Sequence, residues 1–64
     1  MTAYIVEHTT YQHGDKQEDE TAFKTEAWAK EFALCCLQRF GGRVWINNTE
    51  YNQPQLKGEI TNGN

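Results

Sequence analysis

The sequence predicts an α+β fold: a small four-stranded antiparallel sheet in the order ββαββ, with one helix packed on one face. Two observations predict it. Four short segments are rich in β-branched and aromatic residues or alternate between apolar and polar positions, as strands do. Between the second and third of them, residues 26–40 carry apolar side chains at the spacing of one helical stripe. At 64 residues the chain is expected to form a single domain, 1–64.

The first part of the chain is expected to form a hairpin whose two strands are separated by a polar loop. The segment TAYIVEHTTYQ predicts a strand from roughly Ala3 to Gln12. The segment HGDKQEDE, residues 13–20, is polar and contains a glycine, which indicates a turn or mobile loop. TAFKT, residues 21–25, is then the second strand, returning alongside the first.

The predicted helix runs from Glu26 to about Phe40. Thr25 is placed to cap its N-terminus, and Gly41-Gly42 is placed to end it in a left-handed conformation. The side chains of its buried stripe are those of Ala29, Phe32, Ala33, Cys36, Leu37 and Phe40.

Two further strands are predicted after the helix. In RVWINN, Val44 and Ile46 face one side of the sheet and Trp45 faces the other. EYNQPQ contains the only proline of the chain and predicts a turn. LKGEI alternates, so it predicts the last strand, with one side formed by Leu56, Gly58 and Ile60.

The adjacent cysteines, Cys35 and Cys36, are expected to be structural. Successive helical positions point ~100° apart, so Cys36 faces the core while Cys35 faces away from it, on the same outward stripe as Trp28. A helix cannot hold a disulfide between neighbours, and the C-x-x-C spacing of redox sites is absent from the sequence.

Residue types that catalysis and metal binding require are scarce. The chain contains no serine. His8, expected on a strand surface, and His13, expected in the loop, are too few for a zinc site. A cysteine–histidine pair would need Cys36, which is expected to be buried. We therefore expect no enzymatic activity, no metal and no cofactor.

The net charge of −3 disfavours non-specific binding to nucleic acid, which normally uses a basic surface. The sequence has no apolar run long enough to span a membrane and no basic-then-apolar leader. The expected location is therefore cytoplasmic, in the cytosol of a host cell.

Three surfaces are candidates for binding a partner. Tryptophan is enriched at the centres of interfaces, so Trp45, on the sheet face away from the helix, is the predicted anchor. Trp28 marks the outward helix stripe, and the acidic loop would steer the approach of a basic partner. The predicted partner-binding residues are Trp45, Asn47, Glu50 and Tyr51 on the anchoring side, Asp15, Glu18, Asp19 and Glu20 in the loop, and Trp28 on the helix.

The strand AYIVE, the helix entry FKTEAWAKEFA and the strand GGRVWI together resemble, in their topology, small accessory proteins of bacteriophages and mobile elements. These include anti-CRISPR proteins against type I systems. The resemblance implies a phage-encoded inhibitor that lacks catalysis and occupies a surface of a host complex. It carries over no individual binding residue.

The expected function is a non-enzymatic protein-binding module that sterically occludes a basic surface of a host complex, such as a CRISPR surveillance complex. One alternative is a nucleic-acid binder that stacks bases on Trp45 and an aromatic residue of the first strand. Nine acidic residues against six basic ones oppose it, so no direct nucleic-acid partner is expected. The other alternative is a homodimeric structural subunit in which the stripe of Trp28 and Cys35 meets its own copy.

Overall fold

The structure, a computed structural model, describes residues 3–61. It confirms the α+β class and the four-stranded antiparallel sheet, whose strands lie in the order β2-β1-β3-β4. A second helix follows the last strand. The elements along the chain are β1 (Tyr4–Gln12), β2 (Asp15–Phe23), α1 (Glu26–Phe40), β3 (Arg43–Ile46), β4 (Thr49–Tyr51) and α2 (Gln53–Thr61).

Strands β1 and β2 form one long hairpin around a two-residue turn. His13 and Gly14 both have positive φ, 54° and 84°, which suits the twist of a tight hairpin. Pairing runs without interruption from Tyr4 opposite Phe23 to Gln12 opposite Asp15. The predicted loop over residues 13–20 is therefore wrong, because all but its first two residues belong to β2.

Helix α1 has the predicted bounds and the predicted ends. The Thr25 side-chain oxygen accepts a hydrogen bond from the Trp28 N–H at 3.3 Å, and the Gly41 N–H donates to the Leu37 carbonyl at 3.0 Å. The prediction for Phe40 is wrong: at the helix end its side chain is 65% exposed. Phe32 is half-buried against the core, and the stripe residues that are buried are Ala29, Ala33, Cys36 and Leu37.

The predicted strand over residues 56–60 is wrong, since these residues lie in α2. The Asn52 side-chain oxygen accepts from the Gln55 N–H at 2.8 Å, and the Asn52 carbonyl accepts from the Leu56 N–H at 3.0 Å. Asn52 thus caps the helix, and Pro54 stands in its first turn, where proline is tolerated. The fourth strand is Thr49–Tyr51, and its last two residues belong to the predicted turn.

Both helices lie on the same side of the sheet, and α1 is the one that packs directly against it. Helix α1 lies against β1 and β3, and α2 packs beside α1. Leu56 is completely buried and brings α2 into the common core, whereas Gly58 is exposed and Ile60 half-buried. The core consists of Val6, Ala29, Ala33, Leu37, Val44, Ile46 and Leu56.

Candidate partner-binding surfaces

The sheet face opposite the helices, here called the open face, is covered by no element of residues 3–61. Because side chains alternate along a strand, the buried Val6, Val44 and Ile46 define the helix-facing side and their neighbours define the open face. The registers of the three strand pairs place on the open face Ile5, Glu7, Thr9 and Tyr11 of β1, Lys16, Glu18, Glu20 and Ala22 of β2, Arg43 and Trp45 of β3, and Glu50 of β4.

Trp45 lies on the open face, as predicted, but it is half-buried beneath Arg43. The Arg43 guanidinium carbon is 5.6 Å from the centre of the Trp45 ring, a cation–π arrangement. Glu50 fixes the arginine in place, accepting from Arg43 Nε at 2.7 Å and from its Nη2 at 2.8 Å. These bonds lower the pKa of the Glu50 carboxyl and raise the pKa of Arg43. The ring of the predicted anchor, Trp45, is thus covered on one face by Arg43, which Glu50 holds in position.

Two residues grouped with Trp45 in the sequence prediction do not share its surface. Tyr51 pairs with Val44 and packs against the core on the helix-facing side. Asn47, at positive φ, joins the turn after β3 to the start of β1. Its side-chain oxygen accepts from the Ile5 N–H and its own N–H donates to the Ile5 carbonyl, both at 2.9 Å. The anchoring side is therefore narrower than predicted.

The four predicted acidic residues lie on a strand at the edge of the sheet, because β2 pairs with β1 on one side only within the described sheet. All four are exposed. The register divides them between the faces: Glu18 and Glu20 project from the open face, whereas Asp15 and Asp19 project from the helix-facing side. A strand holds these carboxylates in fixed directions, which the predicted mobile loop could not do.

On the outward surface of α1, Trp28 is 64% exposed and Cys35 is also exposed, as predicted. An exposed aromatic residue that the sequence reading missed is Tyr11, which is 67% exposed and lies on the open face. The sequence feature that could have identified Tyr11 is the alternation of side chains along β1. If Val6 faces the core, the same alternation places Tyr11 with Glu7 on the opposite face of the sheet.

A second concave surface, the α1 groove, lies between the C-terminal half of α1 and the helix-facing side of the β1–β2 hairpin. Its volume is about 470 Å³. Phe32, Cys36 and Phe40 supply its apolar lining from α1, and Asp19 lies on the β2 wall. No sequence pattern indicated this groove, because its two walls are separated in the chain and the β2 wall was predicted as a loop.

His8 lies in the wall of the α1 groove and is only 6% exposed, so its prediction as a strand-surface residue is wrong. Its Nε2 atom is 2.9 Å from the Gly41 carbonyl oxygen. Since a carbonyl only accepts, Nε2 carries the proton in this hydrogen bond. The ring centre also lies 6.2 Å from that of Phe40.

The groups that meet near the α1 groove are poorly suited to chemistry. Burial raises the pKa of the Cys36 thiol, with smaller contributions from Cys35 and Asp19. The thiol therefore stays protonated at neutral pH, and a protonated thiol is a weak nucleophile and metal ligand.

Among residues 3–61, no three histidine, cysteine or acidic side chains are arranged to hold a metal ion. Neither helix in the described part of the chain is long and apolar enough to cross a membrane.

These features define a class: a small α+β protein with two helices on one face of an antiparallel sheet and a charged, aromatic open face. No protein-family model matches the sequence, and no curated protein or solved structure is significantly similar to it.

Proposed function

We propose that this protein is a non-enzymatic binding module that attaches to a basic surface of a larger host complex and inhibits it by steric occlusion. The observation that carries the proposal is the open face itself. It presents the stack of Trp45 and Arg43, the exposed ring of Tyr11 and the carboxylates of Glu18 and Glu20 on one side of the sheet.

The open face combines the two contributions that a protein interface needs. Aromatic side chains supply affinity once a partner removes them from water, while charges at the rim raise the association rate and select the partner. A stable interface buries ~800 Å² on each partner, a large fraction of the 4750 Å² surface of the described residues. An interface of that size would occupy about a sixth of this surface, so it can extend beyond the Trp45 cluster to neighbouring residues of the sheet.

Direct binding of nucleic acid is disfavoured by the charges of the four strands on this face. Four carboxylates, those of Glu7, Glu18, Glu20 and Glu50, oppose two cations, Lys16 and Arg43. A phosphate backbone would meet mostly like charge, and one face of the Trp45 ring is already occupied by Arg43. The proposed target is accordingly a basic protein surface of a host complex, such as a CRISPR surveillance complex.

The proposal is tested by affinity capture from a bacterial host lysate with three immobilised forms of the protein. These are the wild type, Trp45→Ala, and Trp28→Ala as the matched control on the outward surface of α1. A target bound through the open face is captured by the wild type and by Trp28→Ala, whereas Trp45→Ala loses ~2 kcal/mol or more of binding free energy through faster dissociation.

In a fourth form, Glu7, Glu18 and Glu20 are all replaced by glutamine. It distinguishes the effect of the carboxylates on the association rate from the effect of Trp45 on the dissociation rate. It should bind more slowly than the wild type at low salt and about equally fast at high salt, where exposed charges are screened. Capture that depends on Trp28 and not on Trp45 would contradict the proposal and favour an interface on α1. A shift of single-stranded DNA or RNA by the wild type would favour the nucleic-acid alternative.

A further inference from the structure

The two edges of the sheet differ. β4, at one edge, has three residues and leads directly into α2. β2, at the other edge, has nine residues, and no element of residues 3–61 pairs with its outer side. An edge strand of this length offers a row of unpaired N–H and C=O groups to which another extended chain can add.

The side chains along β2 indicate which residues an extended segment added to this edge would carry. Glu18, Asp19 and Glu20 are consecutive and exposed. Glu18 and Glu20 project from the open face, and Asp19 projects from the helix-facing side. Because an added strand alternates in step with β2, charge complementarity favours three consecutive basic residues. The outer two would face Glu18 and Glu20, and the middle one would face Asp19. Glu18 also has Lys16 at 3.6 Å, an exposed ion pair that a partner's cation would share or replace.

The middle position adjoins the α1 groove, which combines an apolar wall with a carboxylate. Asp19 lies on its β2 wall, and the apolar rings of Phe32 and Phe40 lie on its α1 wall. His8 also lines the groove and is more than nine-tenths buried. Its Nε2 donates a hydrogen bond to the Gly41 carbonyl, which fixes the position of the ring in the wall of the groove.

We propose that the β2 edge and the α1 groove together bind an extended segment of a partner protein that contains three consecutive basic residues, the middle one an arginine. The backbone of the segment adds to β2 as a fifth strand. The arginine enters the α1 groove, packs its aliphatic stem on Phe40, and donates from its guanidinium to Asp19 on the β2 wall. This inference rests on the proposed function and identifies the element of the partner that is recognised.

A second copy of this chain does not fit the β2 edge. Pairing of β2 with itself would bring two acidic strands side by side, and like charges on adjacent strands are destabilising. Within the groove, Arg39 on the α1 wall repels the guanidinium of the partner's arginine, so that guanidinium is expected beside Asp19 on the β2 wall. The edge therefore selects a basic partner over self-association.

Fluorescent nine-residue peptides test the proposal with the intact protein. The parent peptide is Thr-Val-Thr-Lys-Arg-Lys-Thr-Val-Thr, and its affinity is measured by fluorescence anisotropy. Two N-methylated versions keep every charge but block one or the other alternate set of backbone amides. One set faces β2 and the other faces solvent, so one version should lose at least roughly tenfold in affinity and the other should bind like the parent. Equal binding by all three, or no binding by the parent, would overturn the proposal.

Two exposed positions test the groove separately from the edge. Phe40→Ala and Asp19→Asn should each weaken the parent peptide roughly tenfold. Neither should alter binding of a matched peptide with threonine in place of the central arginine, and circular dichroism controls for folding. If both variants bind the parent peptide normally, the groove does not receive the arginine and the proposal is wrong.

The peptide experiment also separates this inference from the function on which it rests. Trp45-dependent capture of a host complex without peptide binding would leave the binding module standing and overturn strand addition at β2. Amide hydrogen exchange on the protein gives the position: the parent peptide should slow exchange within residues 15–23, and slowing confined to β3 and β4 would contradict the proposal.

Discussion

Gly42 approaches the backbone of Thr9 so closely that a Cβ atom on Gly42 would lie 2.1 Å from the Thr9 carbonyl oxygen. The φ angle of Gly42 is also +83°, a conformation that other residues rarely adopt. Thr9 pairs with Arg43, so this approach brings β3 against β1 directly after the end of α1. We expect Gly42→Ala to lower the free energy of unfolding by about 3 kcal/mol or more, measured by urea denaturation.

Gly58→Ala is the matched control for that substitution. Gly58 lies within α2, is exposed, and has no atom within 4 Å of the position of an added Cβ. Alanine there should raise the free energy of unfolding by about 0.5–1 kcal/mol, because it favours the helix. Loss of stability in both variants would contradict the helical assignment of α2, since a strand would not gain from alanine.

Leu56→Ala tests whether α2 is part of the core. Leu56 is completely buried and is the residue through which α2 enters the core cluster. Its truncation should cost ~2–5 kcal/mol in urea unfolding. The neighbouring Lys57 is exposed, and Lys57→Ala should change stability by less than about 0.5 kcal/mol. Equal effects at the two positions would show that Leu56 does not bring α2 into the core.

The two cysteines should differ sharply in their reaction with a thiol reagent at neutral pH. Cys35 is exposed, whereas Cys36 is buried and its pKa is raised by that burial. We expect one thiol to react quickly and the second to react only as the protein opens. Cys35→Ala should remove the fast phase and Cys36→Ala the slow one, as followed by absorbance. Removal of the fast phase by Cys36→Ala would contradict the burial.

The raised pKa of Cys36 also makes stability depend on alkaline pH. The unfolded chain releases this proton at a lower pH than the folded protein does. The stabilisation is therefore complete below the unfolded-state pKa and is lost as the pH rises through the folded-state pKa. Between about pH 8 and 10, the wild type and Cys35→Ala should lose stability more steeply than Cys36→Ala. Parallel slopes in urea unfolding would contradict the assignment.

The stack of Arg43 on Trp45 should be visible in fluorescence. In a Trp28→Phe background only Trp45 contributes tryptophan emission. Arg43→Ala removes the side chain above the ring and should make Trp45 more accessible to acrylamide quenching. The cost in stability should be small, because exposed ion pairs contribute little. Lys16→Ala, elsewhere on the open face, is the control and should leave quenching unchanged.

Local patterns identified α1 correctly, including both of its ends. The local signals are the spacing of its apolar residues, Thr25 at the start and Gly41 at the end. Tertiary contacts agree with them except at Phe40, which is exposed at the helix end. The same is true of β3, where alternation alone separates Trp45 from Val44 and Ile46. Strand β2 is different. Acidic residues and lysine are depleted in strands, so the composition of residues 15–20 favours a loop. They form a strand because β1 pairs with them along its whole length.

The C-terminal segment shows how alternation over a short stretch misleads. Leu56, Gly58 and Ile60 alternate as a strand would, yet only Leu56 is fully buried in the helix that forms. Asn52 as a cap and Pro54 in the first turn are the signals that favoured a helix, and they are weaker than the alternation they oppose. The packing of Leu56 against α1 and the sheet decides the outcome, because most helical stability in proteins comes from tertiary packing.

By itself the sequence determined the fold class, the position of α1, the burial of Cys36 and the direction of Trp45, because each depends on spacing within one element. Only the tertiary structure decided which surfaces are assembled from distant segments. It placed Arg43 over Trp45, turned Tyr51 to the opposite face, and set Asp19 across the α1 groove from Phe40. These relationships depend on strand register and on how a helix lies over a sheet. A shift of one residue in register moves a side chain to the other face, so no local pattern can specify them.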